Sequence, residues 1–169
     1  MVYQNIKYKF LIYYILIITT IFISYLWIQS RLIFNDTISL PKGLYLRLPV
    51  ETPEINNIYE FTINSDRLEI AKKFGYHANG TFLKKLVAKN GDNVTINQHG
   101  LLINGKYIAP KGIEKARNMN LYPIEHMNYK LKTGEYFFLG LSKHSYDSRY
   151  FGIIKQNQIK YQDILIKEL

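Results

Sequence analysis

The chain contains no cysteine. Disulfides, thiolate nucleophiles and cysteine-based metal sites are therefore excluded, and any nucleophile must be an oxygen or an amine. Acidic residues are also scarce: 13 Asp and Glu stand against 22 Lys and Arg, a net charge of +9. The basic residues are scattered, with no run of five or more. That spread argues against a nucleic-acid-binding face and leaves an anionic membrane surface or a Lys-rich compositional drift as the source of the charge. The histidines His77, His99, His126 and His144 lack ligand-like spacing, so no metal site is expected. Repeats and low-complexity linkers are absent.

What is present is abundant in aromatic residues, 15 Tyr and 9 Phe, which favour strands over helices. At 169 residues, less any part embedded in lipid, there is room for one soluble domain with its own core. The N-terminus supplies the lipid candidate. From Phe10 to Ile28 the sequence FLIYYILIITTIFISYLWI has 19 residues without a charge, enough to cross about 28 Å of hydrocarbon as a helix. A cleaved secretory signal would be shorter and would end in small residues, whereas this run ends Leu26-Trp27-Ile28-Gln29-Ser30-Arg31. It reads as a retained signal-anchor. Tyr25 and Trp27 suit an interfacial belt, and Lys7 and Lys9 favour a cytoplasmic N-terminus with the domain outside. The expected organisation is a stub and transmembrane anchor over residues 1–30 and a β-rich extracytoplasmic domain over residues 31–169.

Beyond the anchor the pattern changes to short alternating runs. Strands are expected at Gly43–Leu48, Asn57–Ile63, Thr81–Ala88, Asn93–Ile96 and Tyr136–Leu139. Asn104-Gly105, between apolar runs, signals a type I′ hairpin, and Gly91-Asp92 and Thr133-Gly134-Glu135 mark further turns. One short helix is expected from Asp66 to Phe74, with Asp66 and Glu69 as a capping box and Gly75 just past its end. Pro110 to Leu131 has no clear period and reads as a long surface loop or lid. The domain is expected to be mostly β.

Three polar segments carry candidate chemistry. The first, TISLPKGLY from Thr37 to Tyr45, begins nine residues after the apolar run and offers a serine stiffened by Pro41 and released by Gly43. The second, FLKKLVAKNGD from Phe82 to Asp92, sets lysines inside an apolar strand. A desolvated lysine loses proton affinity and can then take a proton from a serine hydroxyl without any histidine. Alternation alone does not choose between Lys84, which shares a face with Phe82 and Leu86, and Lys85, which shares one with Leu83 and Val87. The third, SKHSYDSRYFG from Ser142 to Gly152, is a dense polar cluster able to hold a base in place.

In this order behind an anchor, the three segments resemble the type I signal peptidases, serine proteases with a Ser/Lys dyad. The marks are Ser39-Leu40-Pro41-Lys42-Gly43, Lys84-Lys85 through Gly91-Asp92, and His144 to Gly152. The Pro-x-Gly-Leu-Tyr continuation and the small size look most like the conjugative-transfer branch, the TraF-type peptidases that mature pilin subunits of type IV secretion systems. Leu40 stands where housekeeping members usually carry methionine, His144 where the last box usually has asparagine, and Asn90 where proline usually precedes Gly91-Asp92.

The resemblance implies a signal-peptidase-like β domain behind a single transmembrane helix, in the bacterial inner membrane with the catalytic domain on the periplasmic side. It implies Ser39 as nucleophile and Lys84 as general base. Ser145 would hydrogen-bond the Lys84 amine, Asp147 and Arg149 would form a supporting ion pair, and Thr37 would join the Ser39 N–H as an oxyanion donor. Ile38, Leu40, Leu83 and Val87 are candidate walls for a substrate strand. The partner is a membrane-tethered precursor, a pilin or other leader-bearing polypeptide, together with the bilayer; no cofactor, metal or nucleic acid is implied. Two alternatives stay open: a general signal peptidase I, or a catalytically inactive membrane-tethered scaffold of the conjugation machinery.

Overall fold

The computed structural model describes the backbone of residues 2–73, 80–116 and 119–169. It divides into two compact units, Met1–Ile33 and Phe34–Leu169. The first is built on α1 (Val2–Arg31), whose span Tyr8–Arg31 is long and apolar enough to cross a membrane and fits a membrane anchor. Its side chains from Tyr8 to Ser30 are exposed on every face. Such a helix has no protein core to enter, so hydrocarbon is the solvent that suits it. Near its end the Arg31 guanidinium lies 5.4 Å from the Trp27 ring centre.

The second unit is mostly β. Its elements run β1 (Leu32–Asn35), β2 (Gly43–Pro49), β3 (Ile58–Thr62), α2 (Ser65–Lys73), β4 (Thr81–Ala88), β5 (Asn93–Asn97), β6 (Gly100–Ile103) and β7 (Lys106–Ala109). They continue β8 (Lys115–Ala116), β9 (Met119–Asn120), β10 (Met127–Lys130), β11 (Glu135–Leu139), α3 (Ser148–Phe151), β12 (Ile154–Lys155) and β13 (Ile159–Glu168). The larger sheet has seven strands in the order β1-β2-β13-β3-β4-β11-β12, and a four-stranded sheet runs β10-β5-β6-β7.

Alternation decides which side chains enter the core. On β4, Phe82, Lys84, Leu86 and Ala88 point inward while Thr81, Leu83, Lys85 and Val87 are half-exposed. Phe82 and Leu86 join Tyr59, Phe61, Phe138, Tyr146 and Tyr150 in one aromatic-rich cluster. A second cluster, with Val94, Ile96, Leu101, Leu131 and Phe137, includes the inward face of the four-stranded sheet. Asn104 and Gly105, at φ 52° and 79°, form the left-handed pair the β6–β7 hairpin requires. Gly43 opens β2 so tightly against β13 that any Cβ there would overlap the Lys167 carbonyl.

Three expectations need correction. The segment Pro110–Leu131 is no free loop: it carries β8, β9 and β10, and β10 pairs with β5 from Met127↔Ile96 to Lys130↔Asn93. Its alternation is short and broken by polar residues, so the partner strand rather than the local pattern holds it. Second, α2 starts at Ser65, and Glu69 pairs with Lys72 Nζ at 3.0 Å. The expected helix end at Phe74 and the Gly75 cap lie outside the described residues. Third, β13, absent from the expected strands, is the longest strand and lies between β2 and β3.

Candidate active site

Ser39 lies in the loop between β1 and β2, and Lys84 on the inward face of β4, 45 residues away in sequence. The lysine Nζ lies 2.8 Å from Ser39 Oγ, and the two residues are only 2% and 3% exposed. Burial removes water from the ammonium and lowers the Lys84 pKa to about 8; the Asp147 carboxylate opposes that shift and the Arg149 charge adds to it. Lys85, by contrast, points to the other face of β4. The fold thus separates two lysines that sequence periodicity leaves equivalent.

Four hydrogen bonds to backbone carbonyls and one glycine hold the serine in place. The Ser39 carbonyl accepts from Leu141 N–H at 2.7 Å, while Tyr45 OH donates to the Pro41 carbonyl at 2.7 Å. Asn35 Nδ2 also donates to the Leu40 and Pro41 carbonyls, at 3.3 and 3.1 Å. A side chain at Gly140 would overlap Ser145 Oγ and come within 3.1 Å of Ser39 Cβ. The turn after β11 can therefore approach the serine only without a Cβ.

The last polar segment anchors that turn. Asp147 caps α3, accepting Arg149 N–H, and its other oxygen accepts Gly140 N–H at 3.1 Å. The Arg149 guanidinium meets the same carboxylate through Nε at 2.8 Å and Nη2 at 2.7 Å. Arg149 further donates to the carbonyls of Pro110, Ser142 and Ser145. Burial works against its charge, but the Asp147 hydrogen bond and charge more than offset this, and its pKa ends above the usual guanidinium value. Ser148 Oγ accepts Phe138 N–H at 3.0 Å, tying α3 to β11.

The expected hydrogen bond from Ser145 to the Lys84 amine is not formed. Ser145 Oγ is buried without a hydrogen-bond partner among the described residues, pressed instead against Gly140. Thr37 does reach the site: its Oγ1 lies 2.9 Å from Ser39 Oγ and donates to Asn35 Oδ1 at 2.7 Å.

Comparison with known proteins gives the family. A family model described as signal peptidase, peptidase S26, matches residues 6–164. The chain belongs to that family. Two plasmid transfer proteins TraF of Escherichia coli are similar to it: one is 31% identical over 140 residues, covering 74% of this chain and 76% of the relative. The other is 30% identical over 140 residues, covering 75% and 76%. Among solved structures, signal peptidase I of Enterococcus faecalis V583 matches 67% of this chain and 97% of its own, at 24% identity and a TM-score of 0.39.

Membership in the signal peptidase family supports a serine-protease kind of enzyme and implies a precursor polypeptide as substrate. Of the residues singled out from sequence, the fold gathers Thr37, Ser39, Lys84, Ser145, Asp147 and Arg149 into one site. It does not gather all the candidate groove walls. Leu83 and Val87 lie half-exposed on the face of β4 opposite Lys84, Leu40 is buried, and Ile38 is open to solvent at 65% exposure. Sequence reasoning missed Asn35 and Gly140. Asparagine and glycine mark turns everywhere; Gly140 is distinguished by its approach to the distant Ser39, and Asn35 by a loop that brings the Leu40 and Pro41 carbonyls back onto its amide.

Proposed function

We propose that this chain is a membrane-anchored endopeptidase of the signal peptidase type, with Ser39 as nucleophile and Lys84 as general base and acid. The observation that carries the reading is the buried Lys84 Nζ, 2.8 Å from Ser39 Oγ, with a pKa lowered to about 8. At neutral pH about a tenth of such a lysine is neutral, enough for a base working near its pKa. In the reaction, Ser39 Oγ bonds to the scissile carbonyl carbon as its proton passes to Lys84 Nζ. The C–N bond then breaks as Lys84 returns the proton to the leaving amine. Water attacks the resulting ester with Lys84 again taking a proton, and collapse releases the acid and restores the Ser39 hydroxyl. The Ser39 backbone N–H stabilises the oxyanion. Asp147 and Arg149 act through the turn that holds Ser39.

The anchor gives this site its substrate. Ser39 follows Ile28 by only eleven residues, a reach of at most about 40 Å. A precursor held by its own membrane segment presents its cleavage point at that height, so tethering removes the search. The orientation we favour puts the N-terminus in the cytoplasm and the peptidase domain outside the bacterial inner membrane. Similarity to plasmid transfer proteins supports a pilin-type subunit of a conjugative system as substrate, released by water or, where a substrate amine attacks the ester, cyclised.

Cleavage of a co-expressed pilin precursor and of an Ala-x-Ala reporter tests the reading. Ser39→Ala and Lys84→Ala should abolish cleavage in folded, membrane-inserted protein, and Lys85→Ala should retain it. Wild-type cleavage by Ser39→Ala would leave only the scaffold alternative, whereas cleavage of many exported precursors would favour a general signal peptidase.

A further inference from the structure

The hydrogen bonds around Asn35 admit one orientation of its side chain. Asn35 ends β1 and is 7% exposed. Its Nδ2 faces three carbonyl oxygens, those of Thr37, Leu40 and Pro41, at 3.2, 3.3 and 3.1 Å. Its Oδ1 faces Thr37 N–H at 3.2 Å and Thr37 Oγ1 at 2.7 Å. Flipping the amide would set its oxygen against three acceptors and its NH2 against a backbone N–H, so the flipped form is excluded.

That orientation fixes the hydroxyls beyond it. An amide oxygen only accepts, so Thr37 gives its single hydroxyl proton to Asn35. The contact between Thr37 Oγ1 and Ser39 Oγ, at 2.9 Å, must then be made with the Ser39 proton. Protonated Lys84 donates to Ser39 Oγ at 2.8 Å from the other side. The resting chain therefore runs one way, from Lys84 to Ser39 to Thr37 to Asn35.

We propose that Asn35 is a positioning residue for the reaction proposed above: it clamps the loop that carries Ser39 and commits the Thr37 hydroxyl as an acceptor of the Ser39 proton rather than as an oxyanion donor. While Lys84 is charged, the Ser39 proton is parked on Thr37 and the oxygen lone pair faces the ammonium. Once Lys84 is neutral, the hydroxyl turns to Nζ and transfers its proton there as Oγ attacks. Thr37 stays engaged with Asn35 throughout, and the oxyanion depends on backbone donors.

The test is reporter cleavage by the full chain in detergent, with kcat, KM and melting temperature measured for Thr37→Val, Thr37→Ser, Asn35→Ala and the double variant Asn35→Ala/Thr37→Val. Ser39→Ala and Lys84→Ala are run beside them. An oxyanion donor would cost about 10²–10³ in kcat on removal. An acceptor costs less, so Thr37→Val should lose about tenfold or less, and Thr37→Ser should restore most of that loss. Asn35→Ala should lower kcat at least as much as Thr37→Val with little change in KM. The double variant should be no worse than Asn35→Ala alone, because residues acting as one chain do not add.

A loss of about 10² or more on Thr37→Val, wild-type kcat in Asn35→Ala, or multiplying losses in the double variant would each overturn the proposal. Should Asn35→Ala fail to fold, the Thr37 pair still decides whether that hydroxyl accepts or donates. If Ser39→Ala and Lys84→Ala cleave like wild type, the dyad reading itself falls; if they are dead while Asn35→Ala is unaffected, only the role of Asn35 falls.

Discussion

Two buried ionic clusters occupy opposite faces of the seven-stranded sheet, and they are balanced in opposite ways. Lys84 pairs across β3–β4 with Tyr59, whereas the neighbouring Glu60 faces the other side together with Asp163 and Arg47, which are paired across β2–β13. Near Lys84 the Asp147–Arg149 pair matches charge for charge, through two short hydrogen bonds, and the lysine is the extra cation. On the other face one arginine serves two carboxylates. Arg47 bonds Glu60 at 2.7 Å, and both Asp163 oxygens are buried without hydrogen-bond partners among the described residues. Burial, with the Glu60 charge adding to it, pushes the Asp163 pKa up to about 7 against the pull of Arg47.

Each cluster thus holds one group driven toward neutrality, a lysine from above and an aspartate from below. Only the lysine has a nucleophile 2.8 Å away. A perturbed pKa therefore does not mark the site by itself; the pairing with a reactive oxygen does.

Substitutions sharpen this contrast. The largest effect is expected for Lys84→Met. Cleavage should fall by ~10²–10⁴-fold or more for loss of the base, while the melting temperature rises. The sign follows from linkage. With a folded pKa near 8 instead of 10.5, Lys84 costs ~3 kcal/mol wherever it must be charged, and that cost is relieved as pH climbs from 8 to 10.5. A melt below wild type at pH 7 would show that the amine is compensated.

Next in size is Arg149→Met. It leaves the Asp147 carboxylate buried without its guanidinium, and should cost ~3–5 kcal/mol in denaturant unfolding. Adding Asp147→Asn should recover part of the loss, since the stranded charge is then removed; no recovery would assign the loss to the carbonyls that Arg149 also holds.

Asp163→Asn should act in the opposite sense, raising stability at pH 8 by ~1–2 kcal/mol. A raised carboxyl pKa contributes stability below about pH 4 that is lost as pH rises through about 7. The variant and wild type should therefore converge at acid pH. Parallel curves at all pH values would refute an ionising Asp163.

The smallest effect concerns the pH profile of cleavage. Wild-type kcat/KM should rise about tenfold per pH unit up to about 8, the Lys84 pKa, and Asp163→Asn should leave that midpoint in place. A shift would mean that the two faces communicate.

Much of the fold was legible because its strands carry strong local signals. β4 is a mostly apolar stretch closed by the Gly91-Asp92 turn, β2 is bracketed by Gly43 and Pro49, and the Asn104-Gly105 pair admits little but a tight hairpin. β13 was not legible. Its Ile164 and Ile166 are apolar and exposed while its Asp163 is charged and buried, the reverse of the usual pattern. β10 is similarly held by β5 rather than by its own sequence. At the site, Ser39, Lys84, Asp147 and Arg149 stood out through their motif spacing, whereas Gly140 matters through its close approach to the distant Ser39 and Asn35 through the way the loop just after it folds back onto its side chain.

The sequence by itself determined the apolar anchor, the mostly β domain, the family and the three segments that carry the polar residues. These are properties of composition and short-range order, where a side chain and its near neighbours are enough. Tertiary structure decided that Lys84, which the family pattern favours and strand alternation alone does not, lies against Ser39, and that Ser145 does not bond the amine. Those outcomes depend on which face of a strand is buried and which acceptor lies within hydrogen-bond reach, and both are set by packing between segments tens of residues apart.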